Sequence, residues 1–321
     1  MSLFLITLRA LAPLFLLILL GYGLKRARLL HAAHVPVLNG LVVNVTLPAL
    51  IVRGLATTPR LPHGAMQLPL ALLGAQAVTM ALAWLLGRAG RFSSPVRGAL
   101  LVVGVFGNTA FLGYPMTLAL HPDQFPAGIL LDQFGMTVVL YLGAPLIGAH
   151  FGTAGGAGRD ARATTLRFLR SPVFLGLAAG AAARLIPWPP AWLGALWVRD
   201  VGQVVGQCLT YLGQGTTPVV LLALGAALRP GAGRRFVRPL LLAAALKLVV
   251  CPLAMWGLCR ALGLHGGLLA EGLLMAAMPT AVMASVLSAE HDLEGDFAVS
   301  VAFSSTVLSA LSVPLALSVL R

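Results

Sequence analysis

The stretch GNTAFLGYPM places polar and helix-breaking residues in the middle of an apolar segment. That segment, residues 98–120, is long enough to cross a membrane as a helix. Asn108 and Thr109 are costly to bury in lipid, and Pro115 removes a helical hydrogen bond. Backbone groups freed in this way survive at membrane depth only where protein or a water-filled cavity satisfies them. The stretch therefore predicts an interrupted helix.

A second interruption is predicted in AAMPTAVM, within residues 266–289. Interrupted helices at corresponding places in two halves of a chain indicate the binding site of a transporter. Freed N–H groups at the start of a half-helix attract an anion, and Asn or Thr side chains beside them add donors. The alternative is that each proline kinks its helix for packing alone. The residues predicted to form a substrate site here are Asn108, Thr109, Gly113, Pro115, Pro279 and Thr280.

A carboxylate, Asp132, lies beside Gln133 inside the apolar segment 126–149. An ionisable residue within a membrane segment is a functional-site hypothesis by default. Desolvation favours the neutral form of a carboxyl group, which suits a proton carrier. We therefore predict Asp132 as the coupling residue and Gln133 as part of the substrate site. The alternative is an interfacial Asp132 in contact with water.

Three further polar residues fit more than one role. Asn44, just before Pro48, either lines the same cavity as a substrate-binding residue or bonds back to its own helix. Lys247 attracts an anion, pairs with Asp132, or extends to the cytoplasmic face; extension or a structural pairing is favoured. Glu271 is close enough to the outer end of its segment that an interfacial position is expected.

Motifs of ATP-driven pumps and of hydrolases are absent from the sequence. It contains no G-x-x-x-x-G-K-[ST] phosphate loop, no H-E-x-x-H and no G-x-S-x-G. The seven histidines, at segment ends or in connections, make no convincing metal set. Cys208, Cys251 and Cys259 all fall within apolar segments, which is typical of packing residues. We expect no enzymatic activity, no metal and no cofactor.

Composition indicates an integral membrane protein. Of 321 residues, 59% are hydrophobic and 10% are charged, whereas a soluble domain carries about 25% charge. The net charge of +13 would suggest a nucleic-acid ligand in a soluble chain. Here Lys and Arg cluster between apolar segments, so no nucleic-acid partner is expected. Residues 3–24 are too long for a typical signal-peptide core and are interpreted as a retained first span.

Basic residues between the apolar segments predict the orientation of the chain. Fourteen Lys and Arg follow the first, third, fifth and seventh segments, against seven on the other side. The positive-inside rule then places both termini outside the inner (plasma) membrane. Ten segments are long enough to cross: 3–24, 35–55, 67–87, 98–120, 126–149, 172–187, 203–228, 238–262, 266–289 and 297–320.

The longest polar connection, GTAGGAGRDARATTLR, divides these ten segments into five and five. An odd number of helices per half gives the second half the opposite orientation in the membrane. The sequence therefore predicts a first repeat at 1–150, a cytoplasmic linker at 151–170 and an inverted second repeat at 171–321.

Several motifs resemble the auxin efflux carrier family, which includes the plant PIN exporters and bacterial permeases. The resemblance covers nearly the whole chain and is strongest in GNTAFLGYPM and AAMPTAVMASVLSAEH, with LNGLVVNVTLPALI and SSTVLSALSVPL in support. It implies an all-helical membrane fold of ten helices in two inverted repeats. Helices 4 and 9 are expected to be broken and crossed, as in NhaA-type antiporters and bile-acid symporters. The long hydrophilic loop of the plant exporters is missing, which argues against auxin itself as substrate.

In residue terms, the resemblance implies that Pro115 and Pro279 are the crossover prolines. Asn108 matches the crossover asparagine near the substrate. The family also implies an elevator-like movement of a transport part against a scaffold. These roles are carried over from the resemblance alone.

The function expected from the sequence is secondary transport of a small organic anion. The expected partners are that anion, the lipid bilayer and either a proton or sodium, with a monomer and a homodimer both open. One alternative is a sodium-coupled symporter of bile-acid type, which sodium dependence of uptake would identify. Another is a channel or a non-transporting membrane receptor, which saturable counterflow would argue against.

Overall fold

The computed structural model describes residues 3–57, 63–153, 166, 169–185, 196–228 and 234–320. Within these ranges all regular elements are helical, apart from one isolated backbone bridge. The predicted all-helical class is therefore confirmed. Most of the predicted linker at 151–170 lies outside the described residues.

The helices follow the predicted apolar segments closely. Seven of those described are long and apolar enough to cross a membrane by length and composition. The chain is therefore a multi-pass membrane protein. The helices are α1 (Leu3–Arg26), α2 (Val35–Ala56), α3 (Gln67–Ala89), α4 (Ser94–Val103), α5 (Thr109–Leu120), α6 (Pro122–Phe151), α7 (Pro172–Leu185), α8 (Leu196–Ala227), α9 (Val237–Ala261), α10 (Gly266–Ala277), α11 (Val282–Glu290) and α12 (Gly295–Val319).

The four shorter apolar helices, α4, α5, α7 and α10, belong to the remaining three predicted segments. Segments 98–120 and 266–289 are each split into two helices, α4 with α5 and α10 with α11. Met278, the first residue after α10, has left the helical conformation, with φ −57° and ψ 143°. A residue before proline is pushed out of the helical region, so Pro279 explains this break. The count of ten membrane crossings stays a prediction.

Some helices widen into a π turn shortly before a proline. The ring of a proline crowds the carbonyl one turn earlier and offers no N–H, so a wider turn relieves the contact. In α5 the carbonyl of Asn108 accepts from the N–H of Leu112 at 3.2 Å and from that of Gly113 at 3.0 Å. Pro115 is thereby accommodated inside α5. The π turns of this kind are Val42–Thr46 before Pro48, Thr109–Gly113 before Pro115, and Leu246–Val250 before Pro252.

The chain divides into two compact units that do not coincide with the two predicted repeats. The larger unit is Met1–Phe15, Pro62–Thr165 and Leu228–Arg321, and it contains α3–α6 and α9–α12. The smaller unit is Leu16–Leu61 and Leu166–Ala227, with α2, α7, α8 and the C-terminal part of α1. Each unit takes residues from both sides of the predicted linker. The repeat boundaries stay a prediction.

Within the smaller unit, glycines allow α1 and α8 to pack backbone against backbone. A Cβ added to Gly21 would overlap the carbonyl of Leu222, and one added to Gly225 would overlap the carbonyl of Ile18. In a membrane, where lipid is as apolar as the helices, such close packing is a main source of association.

We predict that Gly21→Ala destabilises the protein, because the added methyl group must push the backbones of α1 and α8 apart. Overpacking of this kind costs about 1–3 kcal/mol. The matched control is Gly23→Ala, two residues along the same helix, where nothing lies within 4 Å of an added Cβ. Thermal unfolding of both variants in detergent tests this prediction. Equal melting temperatures for the two variants would contradict it.

Candidate functional site

The breaks in the two split segments lie side by side in the larger unit. The N–H of Asn108 donates to the carbonyl of Pro279 at 2.7 Å, and the N–H of Ala281 donates to the carbonyl of Phe106 at 3.0 Å. Between these bonds, Gly107 and Thr280 form an antiparallel bridge. The two extended segments thus satisfy part of each other's backbone where neither has a helical partner.

This pairing corrects the predicted role of Pro115. The two donor residues, Asn108 and Ala281, are 173 positions apart, and so are the two acceptor residues, Phe106 and Pro279. Gly107 and Thr280 have the same separation, so Phe106 takes the place in the first break that Pro279 has in the second. Pro115 lies within α5 and is not part of the break. The first break instead follows Gly104 and includes Gly107, which are poor helix formers. A helix can absorb a proline after a π turn, and for this reason the proline alone did not locate the break.

Polar side chains complete the bonding at both helix ends before the breaks. The hydroxyl of Thr280 donates to the carbonyl of Val103, the last residue of α4, at 2.8 Å. The ammonium group of Lys247 donates to the carbonyl of Ala276, near the end of α10, at 2.6 Å. The hydroxyl of Ser305 in α12 accepts from the N–H of Thr280 at 3.1 Å. Both helix ends therefore have a donor for one of their last carbonyl groups.

The expected extension of Lys247 to the cytoplasmic face is wrong. Its side chain is fully buried and lies against the first break. A Cβ at Gly107 would come within 2.8 Å of Cε and 3.1 Å of Nζ of Lys247, so the glycine makes room for the lysine. The amino group of Lys247 is thereby held at the pairing of the two breaks, bonded to the C-terminal end of α10.

Asp132 is fully surrounded by donors. Its carboxylate accepts hydrogen bonds from the hydroxyl of Thr109, from the phenol of Tyr114 at 2.8 Å and from the amide of Gln133 at 2.8 Å. The hydroxyl of Thr137 adds a contact at 3.3 Å. Asp132 is 1% exposed, which excludes the interfacial alternative. Tyr114 and Thr137 were missed by sequence reasoning, although Tyr114 lies in the quoted stretch.

The position of Asp132 matters electrostatically. Thr109 is the first residue of α5, so the carboxylate lies at the N-terminal, positive end of that helix. The same end is the one predicted to receive an anionic substrate. A negative charge on Asp132 and an anion beside Asn108 would therefore repel each other.

Asn108 is the polar residue with unused hydrogen-bonding capacity next to the paired breaks. Its side chain is 3% exposed, and its Nδ2 has no hydrogen-bond partner among the described residues. The Oε1 atom of Gln133, the residue after Asp132, is also buried and has no hydrogen-bond partner among the described residues. A buried amide without a partner costs about 1–3 kcal/mol. A ligand with an acceptor would remove this cost at Asn108.

The remaining predicted site residues have other contacts. Gly113 allows close packing, because a Cβ there would come within 2.6 Å of the sulfur of Met275. Asn44 belongs to the smaller unit, is exposed, and donates from Nδ2 to the carbonyl of Gly40 at 2.8 Å. The alternative that Asn44 bonds back to its own helix therefore describes it, and the structure does not bring it into the Asp132 cluster.

Glu271 lies near the N-terminal end of α10, and its interfacial depth stays a prediction. Its side chain is fully buried, and its carboxylate accepts from the hydroxyl of Thr117 at 2.7 Å. The Nδ1 atom of His121 lies 3.4 Å from Oε2 of Glu271. His121 follows directly after α5, and sequence reasoning treated it only as one of seven histidines near segment ends.

Buried polar groups around paired helix breaks, within a multi-pass membrane fold, are typical of secondary transporters. Comparison with known proteins agrees with this class. A family model described as "Membrane transport protein" matches residues 6–152 and 161–317, so the chain belongs to that family, the auxin efflux carrier family that its motifs indicated. The chain is therefore a member of a transporter family.

Two archaeal relatives extend over nearly the whole chain. An uncharacterised transporter of Methanothermobacter thermautotrophicus is 29% identical over 306 residues, which is 93% of each chain. An uncharacterised transporter of Methanocaldococcus jannaschii is 25% identical over 317 residues, which is 94% of each chain.

We predict that Tyr114→Phe destabilises the larger unit, because it removes one donor from a buried carboxylate. A hydrogen bond to a charged group contributes about 1.5–3 kcal/mol. The control is Tyr211→Phe, since Tyr211 is 67% exposed and its hydroxyl group has no hydrogen-bond partner among the described residues. The melting temperature of each variant is compared with that of the parent protein. An unchanged value for Tyr114→Phe would show that the other donors compensate fully.

Proposed function

We propose that this protein is a secondary transporter of small organic anions and binds their carboxylate groups beside the paired breaks. The observation that carries the proposal is the buried Nδ2 of Asn108, which has no partner among the described residues. Asn108 immediately precedes α5, so its amide is next to the positive end of a half-helix. An anion bound there would accept the unused hydrogen bond.

Two further features favour a negatively charged ligand. The first N–H groups of α5 and α11 have no helical carbonyl to bond, and both helices begin directly after a break. Lys247 contributes a positive charge beside Gly107, one residue before Asn108. Together these groups create a region of positive potential with few fixed counter-charges other than Asp132.

Asp132 would couple anion binding to a proton. Its carboxylate is bonded to Thr109, the residue after Asn108, so its negative charge opposes an anion at Asn108. Protonation of Asp132 would remove that repulsion. Because linkage is reciprocal, a bound anion would in turn favour the protonated form. This arrangement gives symport of a proton with the anion.

An elevator-like movement is the proposed route to alternating access. All the residues invoked here, Asn108, Thr109, Asp132, Lys247 and Thr280, belong to the larger compact unit. We propose that this unit carries the substrate and that the smaller unit is the scaffold. The proposed orientation keeps the basic connections in the cytoplasm and both termini outside, in the inner membrane.

The first test is Asn108→Leu, which replaces the amide with an apolar side chain of similar shape. Loss of a charge-assisted hydrogen bond worth about 1.5–3 kcal/mol weakens binding roughly tenfold to a hundredfold. The melting temperature should not fall, because no bond to Nδ2 within the described residues is lost. Binding is measured by thermal shift and by counterflow in proteoliposomes, with a panel of mono- and dicarboxylates.

Asn39→Leu, in the smaller unit, is the control and should leave carboxylate binding unchanged. Unaltered binding in Asn108→Leu would place the substrate elsewhere. Repeating the counterflow with and without sodium separates this proposal from a sodium-coupled symporter. Dependence on sodium would favour the latter.

The second test is Asp132→Asn, which fixes position 132 in a neutral state. In the parent protein, carboxylate affinity should rise as pH falls, by up to tenfold per pH unit for one coupled proton. In the variant, affinity should be as high as in the protonated parent and should not vary with pH. Exchange should persist, while uptake driven by a proton gradient should be lost. A pH profile identical to that of the parent would remove Asp132 from the coupling mechanism.

A further inference from the structure

The larger unit contains a second fully buried carboxylate, Glu271, for which the proposed mechanism has no use. The hydroxyl of Thr117 in α5 donates to its Oε1 at 2.7 Å. Nδ1 of His121 lies 3.4 Å from its Oε2, and the side chain of His121 is 18% exposed. A buried acid is therefore joined to the protein surface by one partly exposed imidazole.

The elements packed against α10 offer Glu271 few other charges. Tyr114 of α5 is neutral at ordinary pH and bonds to Asp132, and Lys247 of α9 bonds to the carbonyl of Ala276. Cys259 of α9 faces Gly272, one residue after Glu271. Among the described residues, only His121 lies within ion-pair distance of Glu271. The other charged groups on these elements are exposed, namely Arg88, Asp123, Arg238, Arg260 and Asp296.

This isolation has an energetic consequence. An ionised carboxylate that is removed from water is costly unless a positive charge lies beside it. His121 can provide that charge only by binding a proton, and otherwise the carboxyl group of Glu271 must hold the proton itself. In both cases the Glu271–His121 pair holds one proton at neutral pH. An exposed Glu and an exposed His would not hold a proton between them at that pH.

The surrounding packing is compatible with a dedicated site. A Cβ at Gly128 in α6 would come within 2.5 Å of Oε1 of Glu271, so only glycine leaves room for the carboxylate there. Thr117 lies one helical turn after Tyr114, which bonds to Asp132. The short helix α5 therefore contacts both buried carboxylates, one through each of these side chains.

We propose that Glu271 and His121, with Thr117, form a proton-binding site separate from Asp132. His121 carries protons between solvent and Glu271, and the carboxyl group of Glu271 becomes protonated as the pH falls. Because α5 carries Thr117 and begins next to Asn108, the charge state of the pair acts on the helix that presents the proposed substrate site. Proton binding does not depend on the proposed carrier function, whereas a role in coupling rests on it.

The test is infrared spectroscopy of the purified full-length protein, titrated between about pH 8 and about pH 5, the range in which a histidine responds. The spectra are recorded in an Asp132→Asn background, which removes the other buried carboxyl group among the described residues. This background protein should gain a band from a protonated carboxyl group as pH falls, and the added Glu271→Gln change should abolish that band. In His121→Gln the band should already be present at the alkaline end, because the carboxyl group must then hold the proton alone. Asp123→Asn, which removes an exposed charge close to His121, should behave as the background protein does.

In the Asp132→Asn background, a titrating band that survives Glu271→Gln would overturn the proposal, as would His121→Gln titrating like the background protein. The two variants act on different side chains, so one of them remains informative if the other fails to fold. Carboxylate binding is measured on the same samples. If Asn108→Leu binds normally but the infrared results hold, the substrate proposal fails and the proton site stands.

Discussion

The structure of the larger unit depends on the two backbone hydrogen bonds that join its helix breaks. At membrane depth an unpaired backbone group costs several kcal/mol, so a single break would be expensive. Two breaks that run antiparallel supply partners to each other, through Asn108 with Pro279 and Ala281 with Phe106. Thr280 and Lys247 then bond to carbonyls that the helix ends leave open. The need to give each of these backbone groups a hydrogen-bond partner thus explains most of the polar residues within these segments.

The buried side chains around the breaks differ in how many hydrogen bonds they make, and these differences suggest different roles. Asp132 accepts from four side-chain donors, whereas Asn108 retains a donor without a partner among the described residues. Glu271 has one hydroxyl donor and a histidine that reaches the surface. The proposed ligand site, the proposed charge that responds to the ligand and the proposed proton site correspond to these three environments. The larger unit contains all three residues, which supports its proposed movement as one carrier body.

Sequence reasoning located much of this site but misjudged burial. Asn108, Thr109, Thr280 and Asp132 were identified because polar residues inside apolar segments are costly there. The burial of Lys247 and Glu271 was not predicted for a physical reason: distance from the end of a segment estimates depth along the membrane normal but not packing between helices.

The sequence by itself determined the membrane class, the helical segments and the family, because apolar length and specific motifs are local properties of the chain. It also indicated that two segments are interrupted. Only the tertiary structure decided where the first break lies, since a π turn lets α5 absorb Pro115 while the break pairs Gly107 with Thr280. It also decided the partners of Asp132, Glu271 and Lys247 and the division into two units. These depend on contacts between residues far apart in the chain, which no local pattern of residue types encodes.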